Sequence, residues 1–208
     1  VAITYPRDLP GPSSDIALMT ITAENVVGIS ESPFTFDQQV HQHQGQVWRM
    51  TCELNPLARI SAEPWIAWLQ SLNGRYGTFL MGDPSGTTPR GSAGGSPKLS
   101  TGSATGLTVP IYAASSGTTN WLRAGDYIQI GTGADSRLHR NLQDVNTTSG
   151  GVATLDIWPR LRTTPASGSA VVVSSTVGVW RLMDNAAVWT VTGPGIYRIA
   201  FSAQEALP

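Results

Sequence analysis

Only 13% of the 208 residues are charged, against about 25% in an ordinary soluble domain. The chain has one cysteine, Cys52, and one lysine, Lys98. A single thiol excludes an internal disulfide and any cysteine-cluster metal site. No apolar run approaches the roughly 18–20 residues that a membrane-spanning helix needs, so no membrane insertion is expected. Val1 to Pro6 carries neither the charged start nor the apolar stretch of a secretory signal, and the expectation is a protein made in a reducing compartment. The formal net charge of −1 provides no basic excess for holding nucleic acid. Also missing are G-x-S-x-G, H-E-x-x-H, the Walker A loop and G-x-G-x-x-G. No cofactor is implied.

What the chain does hold is 22 Gly, 22 Thr, 20 Ser and 14 Pro. Gly and Pro break helices and Thr favours pleated surfaces, so this composition points to turns and strands. Seven Trp supply large apolar surfaces for a core. Twelve of the thirteen basic residues are Arg, the cation enriched at protein interfaces where Lys is depleted.

Strands are predicted at 16–22 and 24–29, then at 46–54, where Trp48, Met50, Cys52 and Leu54 alternate with polar neighbours. Cys52 on that apolar face reads as an inert core thiol. One helix follows. Ser61 is its expected N-cap, Pro64 lies in its first turn and Gly74 ends it, with Ala62, Trp65, Ile66, Leu69 and Leu72 as the buried stripe. A further strand runs over 76–81. Residues 85–105, rich in Gly, Ser and Thr, read as a linker or mobile loop. Short strands at 107–113, 127–130, 140–145, 152–157 and 170–174 suit a small closed barrel. Strands at 177–183 and 187–192 flank Asp184-Asn185, a hairpin signal, and 196–202 should return to complete the N-terminal sheet. The expected architecture is mainly β: a discontinuous β-sandwich domain carrying one α-helix (1–90 and 176–208), with an inserted small OB-like β-barrel domain (91–175).

Candidate chemistry is sparse. His41 and His43 share a strand face at a spacing acceptable for a metal, but no third ligand is evident unless Glu53 crosses the hairpin. No metal site is assigned. Asp126, Asp135, Asp144 and Asp156 could pair as glycosidase acids, yet each also sits beside a turn or strand end, where Asp is ordinary turn chemistry. No catalytic residue is assigned, and the chain is expected not to be an enzyme. Trp121 beside Arg123, and Trp158 beside Arg160 and Arg162, form the better case for contacts with a glycan or partner. Exposed, the indoles would stack on sugar rings or bases; buried, they would fill the barrel core. Arg160 and Arg162 are expected to line a solvent-facing edge.

Several segments together resemble a known family. Ser32-Pro33-Phe34-Thr35, Gln46-Val47-Trp48-Arg49, and the strand–helix–strand stretch from Glu53 to Pro84 ending in Gly-Asp-Pro are similar to tail proteins of siphovirus-like bacteriophages. So are Ala124 to Gly131, Ala153 to Arg162, and Tyr197 to Leu207. The resemblance implies a distal tail protein, placed between tail tube and tail tip. Members of that family form a hexameric ring through a helix-bearing β-sandwich, and some carry an outer OB-like barrel. The implied partners are further copies of the chain, the tail tube protein and the tail hub or baseplate proteins, with DNA only as passing cargo. The implied location is the virion tail tip after assembly in the bacterial host cytoplasm. The resemblance brings no catalytic residue. The alternative reading is a carbohydrate-binding adsorption module that recognises a host surface glycan through Trp121 and Trp158; a cell-wall hydrolase is disfavoured by the lack of an acid/base pair.

Overall fold

The computed structural model describes residues 2–100, 106–193 and 195–207. In chain order it contains β1 (Ile16–Glu31), β2 (Gln38–Leu54), β3 (Leu57–Ala58), α1 (Arg59–Ser71), β4 (Thr78–Met81), β5 (Gly95–Leu99), β6 (Gly106–Ala114), β7 (Tyr127–Ile130), β8 (Arg137–Asn141), β9 (Ala153–Leu161), β10 (Val171–Val172), β11 (Gly178–Leu182), β12 (Trp189–Val191) and β13 (Ile196–Glu205). The chain is mainly β, with one α-helix among the described residues and a nearly closed barrel-like sheet.

The first sheet runs β1-β2-β13-β11-β4, with β3 and β12 both paired to the first half of β13. Its core forms because alternate residues of β2, Trp48, Met50, Cys52 and Leu54, all turn inward and meet Ile199, Phe201 and Ala203 of β13. The stripe of α1 lies against them. Trp68 is edge-on to Trp65 at 5.7 Å, Phe79 at 5.0 Å and Phe201 at 5.7 Å, a geometry that aligns ring edges with ring faces. Ala58 precedes the helix without a side-chain cap, and Ser61 lies inside the first turn rather than at its start. The chain leaves α1 through left-handed backbone at Asn73 and Gly74. At Gly74 a Cβ would stand 2.8 Å from the Asn185 backbone, so glycine is required there twice over.

Strands β5 to β10 lie in sequence between β4 and β11, which pair directly. They form a second sheet, in the order β10-β7-β8-β9-β6-β5. Backbone bonds between Leu99 and Ser169, and between Gly168 and Leu99, bring the two ends of this sheet together. Leu99, Val109, Ile111, Trp121, Ile128, Leu155 and Ile157 fill its interior, each at most 1% exposed.

Three expectations need correction. Residues 95–99 are not linker: β5 pairs with β6 and buries Leu99, since Pro97 and Leu99 alternate inward within a polar stretch. Residues 101–105 of the expected linker lie outside the described residues. Asp184-Asn185 does not close a hairpin between β11 and β12, because both strands pair with β13, at opposite halves of it. Finally, the two predicted N-terminal strands are one 16-residue strand, and its 17-residue partner begins at Gln38, ahead of the predicted 46–54.

Burial in this core, with a smaller push from neighbouring Glu53, raises the Cys52 thiol to about 12. Thiolate is the reactive form, so native protein at pH 8 should leave Cys52 unmodified by a disulfide reagent. One thiol per chain should appear only after unfolding in urea; rapid native reaction would place Cys52 outside the core.

Candidate functional site

The two cores meet along a seam. Tyr127, Leu138 and Trp158 of the barrel sheet pack on the cluster built around Trp48. Trp48 and Trp158 lie edge to face with centroids 4.3 Å apart, and the Trp48 indole N–H donates to the Leu138 carbonyl at 3.0 Å. A Cβ at Gly178 would stand 2.9 Å from Leu138 Cβ, so glycine there lets the barrel approach the first sheet.

The polar half of the seam centres on Glu205. Period two along β13 turns Ile199, Phe201 and Ala203 inward, and Glu205 follows them with a side chain only 2% exposed. Arg162, leaving the end of β9, neutralises it with two parallel bonds of 2.8 and 2.9 Å. That fork is the strong, directional form of the carboxylate pair. Arg162 also donates to the Gln46 carbonyl. The Gln46 amide in turn accepts from Arg160 N at 2.7 Å and donates to Asn25 Oδ1 at 3.0 Å, while the Trp158 indole donates to the same Asn25 oxygen at 2.8 Å. Asn25 and Gln46 are cross-strand partners, and the register of β1 on β2 shifts immediately beyond them.

Past that irregularity the β1–β2 hairpin leaves the body as an arm. No residue from Asn25 to Gly45 is buried. Val27, Ile29 and Val40 share one face, with Ile29 directly opposite Val40, and all three are exposed. Phe34 and Phe36 stand at the tip, 92% and 73% exposed. Beyond its partner β2, β1 pairs with no other strand, and β2 meets β13 only from Arg49 to Glu53. Both edges of the arm are therefore unpaired among the described residues. The paired part of the arm is roughly 20 Å long at the usual strand rise.

The residues nominated from sequence fall mostly into the seam. Trp121 is fully buried in the barrel with its indole N–H on the Gly94 carbonyl at 2.9 Å, so it is no platform for a sugar. Trp158 is half-buried, packed perpendicular to Trp48 with its N–H committed to Asn25. Arg162 does not line a solvent edge; its side chain is 23% exposed and holds Glu205. Arg160 enters the seam through its backbone, while its guanidinium has no carboxylate partner among the described residues. Arg123 is exposed, and its backbone N–H donates to Asp126 at 2.8 Å. Glu205 is not among the residues nominated from sequence, although a carboxylate in phase with Ile199, Phe201 and Ala203 is the signal for a buried acid.

The other nominated groups separate. Burial alone would raise the Asp126 carboxyl, but backbone N–H groups of Arg123, Arg90 and Gly91, and the Arg90 charge, hold it below the usual carboxylate range. It fastens a loop. Asp144 accepts from Ala124 N. His41 and His43 stand exposed on the arm, and no group of three His, Cys, Asp or Glu suited to a metal occurs among the described residues. His139 is the opposite case, 2% exposed on β8. Its Nδ1 lies 2.7 Å from the Pro159 carbonyl, and its Nε2 has no partner among the described residues. No protein-family model matches the chain, and no curated protein matches it.

Replacing Arg162 by Met should cost about 3 kcal/mol in urea denaturation, because a buried charge is then left alone. Arg162→Met with Glu205→Met should recover much of that loss, whereas additive losses would mean that the two groups act separately. Burial pushes His139 down to about 4; Glu205 and the Pro159 carbonyl oppose this, and Arg162 and Arg137 add to it. The unfolded imidazole, near 6.5, takes up a proton that the folded one refuses. Stability should therefore fall as pH drops from 6.5 to 4, by about 3 kcal/mol in all. His139→Asn, which keeps a donor for Pro159, should flatten that part of the profile measured by urea titration at each pH.

Proposed function

We propose that this chain is a structural subunit of a phage tail that assembles into a ring through the β1–β2 arm, at the distal position between tail tube and tail-tip hub. The observation that carries the reading is the arm: two long strands with edges unpaired among the described residues, an apolar face and an aromatic tip, and no buried residue from Asn25 to Gly45. Unpaired edges template pairing with another chain, and monomeric proteins normally shorten, charge or cover them. This arm carries Val27, Ile29 and Val40 where a monomer would place charges. Docked on a neighbour it would satisfy its backbone groups and bury its apolar face together. A contact between unlike surfaces, arm to body, is the head-to-tail kind that closes into a ring when the rotation permits.

The role is non-enzymatic and needs no cofactor. Its partners are other copies of the chain, the tube protein on one side of the ring and hub or baseplate proteins on the other, with DNA passing through the bore. The seam supports this assignment physically. An arm that transmits force between subunits needs a fixed root, and Asn25 and Gln46 tie the root to both cores. The resemblance of the segments around Trp48, Gly82-Asp83-Pro84 and Trp158 to tail proteins supports a tail as the assembly. The host-glycan reading loses its platform with Trp121 buried and Trp158 committed to the seam.

Light scattering over a range of concentrations should give a mass of six subunits, with rings visible by negative-stain microscopy. The triple variant Val27→Lys, Ile29→Lys, Val40→Lys should be a folded monomer with unchanged circular dichroism. A wild-type chain that stays monomeric at millimolar concentration, or a variant that assembles as well as wild type, would overturn the proposal.

A further inference from the structure

The arm tip is a hydrogen-bonded turn. Ser32 N donates to the Asp37 carbonyl and Phe36 N to the Ser32 carbonyl, each at 2.9 Å. Thr35 Oγ1 donates to the Asp37 carboxylate at 2.7 Å, and the Gln38 amide to the Glu31 carboxylate at 2.6 Å. The turn holds Phe36 at φ 58°, a left-handed conformation that bulky side chains rarely adopt. Such strain persists only where the surroundings over-determine it, and it collects at sites that bind or switch. Phe34 and Phe36 are thereby fixed in solvent, and rigid aromatic side chains are the usual anchors of protein interfaces. Glu31 and Asp37 flank them in the chain, and neither acid has an ion-pair partner among the described residues. From Asn25 to Gly45 there is no Lys or Arg.

A groove of about 560 Å³ lies at the other end of the arm, walled by the arm root, by Arg160 to Arg162 and by Leu207. The register shift between Asn25 and Val27 leaves Val26 without a paired residue on β2. A bulge of this kind re-aims a side chain, and Val26 lines the groove half-exposed. A Cβ at Gly45 would stand 2.8 Å from Val26 Cγ2, so glycine there leaves Val26 its place in the wall. Val47, Leu161 and the half-exposed Leu207 extend the apolar surface. Of the cations in the groove, Arg49 is paired with Glu24 and Arg162 with Glu205. The Arg160 guanidinium has no ion pair among the described residues.

Tip and groove are complementary, aromatic rings flanked by two unpaired acids against apolar walls beside one unpaired cation. They cannot meet within one chain, because roughly 20 Å of paired strand holds them apart. We propose that the tip of each arm seats in the groove at the root of the next subunit's arm, its phenyl rings against Val26, Leu161 and Leu207 and its carboxylates toward Arg160; this rests on the assembly through the arm proposed above. Each subunit then offers one tip and one groove, unlike surfaces that join head to tail.

Cys52 is buried, so an introduced surface cysteine is the thiol that reacts. Thr35→Cys marks the tip and Gln44→Cys marks the groove, and neither removes an apolar contact or Arg160. Mixed before assembly and treated with a short bismaleimide, the two variants should give a cross-linked dimer, which neither should give alone. Arg160→Glu should raise the concentration needed for half-assembly roughly tenfold or more, as for loss of a charged hydrogen bond. Adding Glu31→Arg and Asp37→Arg to that chain should lower it again, with circular dichroism checking that each variant folds. Rings that form without tip-to-groove links, or that tolerate Arg160→Glu unchanged, would overturn this docking site and leave assembly through the arm standing. A wild-type chain that never assembles would overturn both.

Discussion

The Glu205 carboxylate is the constraint around which the molecule is arranged. It lies on the inward face of β13, the strand that pairs with β2, β3, β11 and β12, and so it cannot turn out to water without disturbing the whole first sheet. Stranding a charge there would cost several kcal/mol. The solution comes from the inserted strands, since Arg162 follows β9 and reaches across the seam. The barrel thus supplies the countercharge of the sheet's core, and neither part is electrostatically complete alone. Trp48 and Trp158 add the apolar half of the same dependence, with Gly178 allowing the approach.

This arrangement decides what the arm can do. The arm emerges where Asn25 and Gln46 are tied to Trp158 and Arg160, so its root is fixed to the seam while no residue beyond it is buried. A long strand pair held only at its base suits capture by another molecule of the same kind. Arg160 and Arg162, neighbours on one segment, divide between two tasks: Arg162 holds Glu205 with its guanidinium, and Arg160 enters the seam through its backbone.

Much of this was legible in the chain. The alternation of Trp48, Met50, Cys52 and Leu54 marks a half-buried strand, and the spacing from Ala62 to Leu72 marks a helix face, because both signals are local and periodic. The mainly β class and the small barrel followed from composition and turn residues. What escaped is non-local. Asp184-Asn185 has the residues of a hairpin turn, but β13 offered both flanking strands a longer partner. Leu99 sits within a run of small polar residues, and only the barrel's need to close makes a strand of it. Ser61 would cap a helix, but α1 begins earlier, at Arg59. The fate of Trp158 and Arg162 depends on Trp48 and Glu205, which lie more than forty residues from Arg162 or Trp158 in sequence, beyond the reach of any spacing rule. The length of the arm was hidden because β2 begins in a polar stretch with no apolar alternation to mark it.

Hydrogen exchange of the arm amides, from Val27 to Glu31 and from Gln38 to Gln42, followed as protein concentration rises, tests the central claim most directly. Isolated subunits should exchange their outward-facing arm amides quickly, and slow exchange should appear together with the assembled species while the barrel amides stay as they were. Arm amides that exchange equally fast in dilute and concentrated protein would contradict the account. So would an arm already protected in the monomer.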